Sequence, residues 1–212
     1  AGAPAGRAET FRSYHIGNSL SVDSGAEWIG GRGAPGYDAA SAGHHIRCSQ
    51  DLTHMIANPE DTCIDDDVYG TYMGALTQNA WNVVTLQPYV GPTGGEESVS
   101  AATFIDIARQ NPANSDTRYY ILSTWPEAPT VNGQPTIDFP AKWQARTEEY
   151  SRDTPMIHEQ GWFEWYVDEL RSDVPDASIH MIPVGDVVLA LDAKFRAGAY
   201  PGIGNVSELY RD

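Results

Sequence analysis

Tyr14-His15-Ile16-Gly17-Asn18-Ser19-Leu20-Ser21 carries the clearest fold signal in this chain. An apolar, strand-like lead-in from Phe11 to Ile16 runs into Gly-Asn-Ser and then into small polar residues. A serine at the carboxyl end of a first β-strand, on a turn that a glycine makes tight, stands at the open rim of a parallel sheet. Ligands of open α/β sheets bind at that rim. The residues after the serine open a helix whose first N–H groups face the same space and favour developing negative charge. Taken alone, Gly-Asn-Ser is more often an ordinary turn. The weight falls on the rest of the chain.

Strand-type apolar runs recur at 11–17, 37–42, 83–87, 119–124 and 179–184. The run Val83-Val84-Thr85-Leu86 is the firmest, because β-branched residues fill a short stretch that Pro88 ends. Helical segments are expected at 51–58, 98–110, 141–151, 158–172 and 186–198, with Trp162, Trp165, Tyr166 and Leu170 as an apolar stripe. Strands alternating with helices predict a three-layer α/β/α sandwich around a five-stranded parallel sheet. Right-handed crossovers give the flavodoxin-like order 2-1-3-4-5. No repeat or linker divides the chain, so 1–10 reads as a flexible N-terminal segment and 11–212 as a single domain.

Three stretches resemble the conserved blocks of the SGNH (GDSL-type) hydrolases, in the right order. Gly17-Asn18-Ser19-Leu20 resembles the first block, in the variant with Asn for Asp. Trp81-Asn82-Val83-Val84-Thr85-Leu86-Gln87 is similar to the third block, where a buried strand delivers a side-chain amide to the oxyanion hole. Leu209-Tyr210-Arg211-Asp212 looks like the start of the last block, Asp-x-x-His, which supplies the catalytic acid and base. The resemblance implies a serine esterase working through an acyl-Ser19 intermediate. Asp212 would orient a histidine expected three residues further on, beyond the 212-residue chain. Ser19 N–H and the Gln87 amide would serve the oxyanion hole, although the superfamily usually places Asn where Gln87 stands. The second-block turn, normally marked by a glycine, falls at Cys48-Ser49, where a backbone N–H would serve regardless of side chain.

Formal charge is −16 from 29 acidic and 13 basic residues, which disfavours nucleic acid and anionic membranes as partners. No apolar run is long enough to span a bilayer. Cys48 and Cys63 are either a bridge or a buried reduced pair. The acid-rich composition, with Lys142 and Lys194 the only lysines, and the small-residue start Ala1–Gly6 favour an exported, secreted or periplasmic protein with the bridge.

Acyl transfer needs a hydroxyl, a base and oxyanion donors. Ser19 is the candidate nucleophile, with Asn18 beside it and Trp125 opening the Pro-rich loop on the same rim. His44 and His45 are expected in the second-block loop, and no third residue at metal-ligand spacing joins them. No metal or other cofactor is therefore expected. The leading expectation is removal of an O-acyl group, acetyl first, from a carbohydrate-type or small-molecule ester. The alternative is a catalytically inactive relative that binds a glycan or partner at the rim. A flavodoxin-like cofactor binder is disfavoured, because no Gly-rich phosphate loop follows the first strand.

Overall fold

The structure, a computed structural model, describes residues 11–23, 37–65, 68–91, 93–127, 130–131 and 134–210. The first strand, β1 (Phe11–Gly17), turns at Asn18 into a short helix, α1 (Ser19–Asp23). Next come β2 (Tyr37–Ile46), α2 (Leu52–Ala57), α3 (Tyr72–Gln78), β3 (Val83–Leu86), α4 (Gly94–Arg109) and β4 (Arg118–Leu122). A small antiparallel pair, β5 (Thr130–Val131) and β6 (Gln134–Pro135), precedes α5 (Phe139–Trp143), α6 (Gln160–Asp173), β7 (Ser178–Ile182) and α7 (Val184–Arg196).

Five strands form one parallel sheet in the order β2-β1-β3-β4-β7, which is 2-1-3-4-5 when counted within the sheet. Ser13 to Gly17 are all buried, as expected for a strand covered on both faces. β1 therefore lies inside the sheet, with β2 and β3 on either side. Helices α2, α3 and α6 each pack against α4, and α5 packs against α7. Tyr14, Ile16, Val84, Leu86, Phe104, Tyr119 and Ile121 fill the core with no exposed surface or almost none. Trp162 and Tyr166 stack on each other inside it, 5.0 Å between ring centroids.

Several element bounds differ from expectation, each for a local reason. β2 runs on to Ile46, so His44 and His45 lie in the strand rather than in the loop after it. His45 is buried against the edge of Tyr72. Helix α4 begins at Gly94, four residues earlier than the apolar pattern suggested, because the Thr93 hydroxyl caps it by accepting Glu96 N–H. The segment expected as a helix over 141–151 forms only the turns of α5, which Asp138 caps. Helix α3 was not expected; Tyr72, Ala75 and Leu76 give it a short buried face. Among the described residues, no helix is long and apolar enough to cross a membrane.

Cys48 and Cys63 form a disulfide with a Cα separation of 5.7 Å. The bridge ties the turn after β2 to the segment whose Cys63 N–H donates to Ile46 O at 2.9 Å. Replacing both cysteines by serine should lower stability by roughly 3 kcal/mol, the chain-entropy value for a loop of this length. Urea denaturation of the two forms measures that difference, and equal midpoints would show that the bridge constrains nothing.

Candidate functional site

In a parallel sheet the crossover helices start at the carboxyl rim, and here that rim carries Ser19. Ser19 is exposed at the first position of α1. Among the described residues neither its hydroxyl nor its backbone N–H has a hydrogen-bond partner. Its neighbours, by contrast, are fully engaged. Asn18 Oδ1 accepts Leu20 N–H at 3.0 Å, and Asn18 O accepts Ser21 N–H at 3.0 Å, which fixes the start of the helix. Asn18 N–H and the Ser21 hydroxyl both donate to Gln87 Oε1, each at 3.0 Å.

Gln87 follows β3, and its backbone N–H donates to Ile16 O at 2.9 Å, continuing the β1–β3 ladder to the rim. Its side chain is 1 % exposed, so the amide works from beneath the Ser19 turn. The donors it accepts fix which end is oxygen. Its Nε2 donates one proton to Pro88 O at 2.9 Å, and an amide nitrogen has a second. Gly17 makes this contact feasible. A Cβ there would lie 2.8 Å from Gln87 Cβ and 2.9 Å from Gln87 Oε1, and would also strike Ser21 Oγ.

On the other side of β1, Arg47 N–H donates to Gly17 O at 2.9 Å, and the chain turns at Cys48-Ser49. Ser49 has φ 57°, the left-handed region that favours glycine, and is exposed. A serine therefore adopts the conformation for which the sequence lacked a glycine, with the disulfide at Cys48 holding it. Asn18 Nδ2 reaches Gln50 O at 3.4 Å, which joins this turn to the Ser19 turn.

Trp125 lies beyond the end of β4, half-buried against the core. Beside it a hollow of about 210 Å³ opens between Pro126, Glu127, Lys142 and His158. Burial holds His158 below the usual imidazole range, and its Nδ1 lies 3.1 Å from Thr124 Oγ1. Tyr210 hydroxyl donates to Pro126 O at 2.6 Å, anchoring the end of the described chain near Trp125. Asp212 itself lies outside the described residues.

None of the histidines is hydrogen-bonded to Ser19 among the described contacts. His15 is buried between Ser13 and Thr85, whose hydroxyls lie 3.0 and 2.8 Å from its ring nitrogens. Its burial, aided by His44, lowers its pKa to about 4, so it is neutral at pH 7. His54 pairs with Asp61, His44 with Asp65 O, and His180 with Ser178. No group of three or more metal-ligating side chains occurs among the described residues. A larger hollow, about 590 Å³, lies at the opposite end of the sheet around Arg12, Trp81, Asn82 and Arg118. Among the described residues no serine, threonine, cysteine or histidine lines it, and Arg12 there lies over the faces of Tyr69 and Trp81.

Sequence reasoning missed Ser21, the second donor to Gln87. It also missed Glu97, buried in the first turn of α4. The signal for Glu97 was present. Its spacing to Ala101, Phe104 and Ala108 places it on the apolar stripe of α4, where an acid is out of character.

No family model matches the chain, and no curated protein matches it. Among solved structures, it is similar to a DUF4886 family protein from Bacteroides uniformis. The match has 16% sequence identity and a TM-score of 0.49, and covers 88% of this chain and 71% of that one.

Two measurements test the geometry of the turn. Gly17→Ala should cost about 1–3 kcal/mol by overpacking. Gln87→Ala should cost a similar 1–3 kcal/mol by leaving Asn18 N–H without its acceptor. Urea unfolding that shows neither loss would contradict the arrangement. The ring protons of His15 should titrate near pH 4 by nuclear magnetic resonance. Because this pKa is depressed on folding, its contribution is present above the ordinary value of 6.5 and is lost as pH falls through about 4. A midpoint near the ordinary value would contradict the burial of a neutral ring.

Proposed function

We propose that this chain is a serine ester hydrolase of the SGNH type that removes an O-acyl group, acetyl first, from a carbohydrate-type substrate. The observation that carries this reading is the contrast at the rim. Ser19 is exposed, and among the described residues its hydroxyl and N–H are unengaged, while Asn18, Ser21 and Gln87 are locked around it. Such a hydroxyl attacks an ester carbonyl, the alcohol leaves, and water then releases the acyl group from Ser19.

The oxyanion that forms would lie by the N-terminus of α1. Ser19 N–H is one donor, and the N–H of Ser49 in the left-handed turn is a second. Gln87 serves mainly by fixing the Ser19 turn, with one Nε2 proton left after Pro88 O. Trp125 and the hollow at Glu127 and His158 suit the alcohol side of a sugar ester, offering an aromatic face and hydroxyl partners. The resemblance assigns the base to a histidine three residues after Asp212, with Asp212 as the acid that orients it. Tyr210, bonded to Pro126 O, brings the end of the described chain to the same rim.

The absence of a histidine bonded to Ser19 among the described residues favours a second reading, a non-catalytic module that binds a glycan at the rim. Assays with p-nitrophenyl acetate and an acetylated sugar separate the two. Losing a triad member typically removes several orders of magnitude of rate, so the 212-residue chain should be feeble. The chain carried through the expected histidine should be active, and Ser19→Ala should abolish that activity. Full activity of the shorter form would place the base within it. Inertness of the longer form on every ester would leave the binding module.

A further inference from the structure

Glu97, in the first turn of α4, has no exposed surface. Its Oε1 accepts Leu52 N–H at 3.0 Å, and the N–H groups of Thr53 and Tyr89 reach the same carboxyl. Its Oε2 is buried without a hydrogen-bond partner among the described residues. The backbone groups that face the carboxyl belong to two different rim loops. Leu52 and Thr53 open α2, directly behind the Cys48-Ser49 turn that follows β2. Tyr89 stands two residues after Gln87, in the loop that follows β3. Since β1 lies between β2 and β3, one side chain, bonded to Leu52 N–H and packed on Gly91, joins the loops on either side of the strand that carries Ser19.

A second carboxyl crowds the same place. Asp51 caps α2 by accepting His54 N–H at 2.7 Å. A Cβ on Gly91 would lie 3.1 Å from Asp51 Oδ2 and 3.3 Å from Glu97 Cγ, so the two acids approach each other across that glycine. The titratable groups facing Glu97 are Asp51, from the cap of α2, and Tyr166, from α6. The Tyr166 hydroxyl donates to Glu97 O at 2.9 Å. No lysine or arginine is paired with the Glu97 carboxyl among the described residues. We propose that Glu97 is a positioning residue that clasps the two rim loops flanking Ser19, and that placing a charge on its buried carboxyl beside Asp51 loosens them. The proposal takes the esterase reading of Ser19 as its premise where it concerns turnover.

Burial first, and the charge of Asp51 second, hold the Glu97 carboxyl well above the ordinary value of 4.5. The sign follows. A group whose pKa is raised on folding contributes stability that is complete below the ordinary value and is lost as pH rises through the raised one. Glu97→Gln keeps the shape of the neutral acid and cannot ionise. Its melting temperature should match the wild type below the ordinary carboxyl value of 4.5 and exceed it by a margin that grows as pH rises above that value. Its ester turnover should persist on the alkaline side where the wild type declines. Glu97→Ala should lose about tenfold or more in turnover at every pH, the scale of a small misplacement of reacting groups. Parallel stability curves for wild type and Glu97→Gln would overturn the clasp, as would wild-type turnover in Glu97→Ala. If no ester is turned over by any form, the esterase reading fails. The stability curves still decide the clasp, divergence upholding it and parallel curves overturning it.

Discussion

The shared acceptor at Gln87 Oε1 is the contact on which the rim depends. One oxygen takes Asn18 N–H and the Ser21 hydroxyl, which lie on either side of Ser19 in the chain. Both donors are buried, and a buried donor left unsatisfied costs about 1–3 kcal/mol. The bend between β1 and α1 is thereby held from below, through a side chain delivered by the neighbouring strand. Only a glycine at position 17 lets the amide come this close. The result is a serine that no hydrogen bond restrains among the described residues, while the backbone on both sides of it is fixed.

The rest of the rim builds on that bend. The ladder bonds Gln87 N–H to Ile16 O and Arg47 N–H to Gly17 O extend both neighbouring strands to the level of Ser19. Past those bonds the chain is controlled by local devices: the disulfide at Cys48, the left-handed Ser49 and the Asp51 cap on one side, and Pro88 and the loop leading to α4 on the other. Helix α4 contributes Glu97 to both loops. The rim is thus preorganised by covalent and hydrogen-bonded links. Preorganised donors are worth most where charge develops during reaction.

Much of this was legible in the amino-acid order. Apolar runs alternating with helical segments placed all five strands of the sheet and their order, because buried parallel strands show short β-branched runs and right-handed crossovers leave few topologies. Gly17-Asn18-Ser19 placed the turn, and the cysteine pair placed the bridge. Contacts between residues far apart in sequence were not legible. Gln87 reads as a candidate oxyanion donor in sequence, and only the fold shows its carbonyl oxygen holding the turn. Ser49 carries no sign of its left-handed backbone, since nothing in a serine announces it. His44 and His45 looked like loop residues because the polar pair masks the continuation of β2. The extent of α4 was hidden by Gly94-Gly95, weak helix formers that here serve a capped first turn.

The proposed function makes Ser19 an activated nucleophile at the rim. Labelling with a fluorophosphonate, followed by tandem mass spectrometry of the digested protein, tests it most directly. The chain carried past Asp212 is the form to use, with the heat-unfolded protein as control. The expected result is a single adduct on Ser19 in the folded protein and none after unfolding. An adduct on Ser49 or another serine, or equal labelling of folded and unfolded chains, would contradict it.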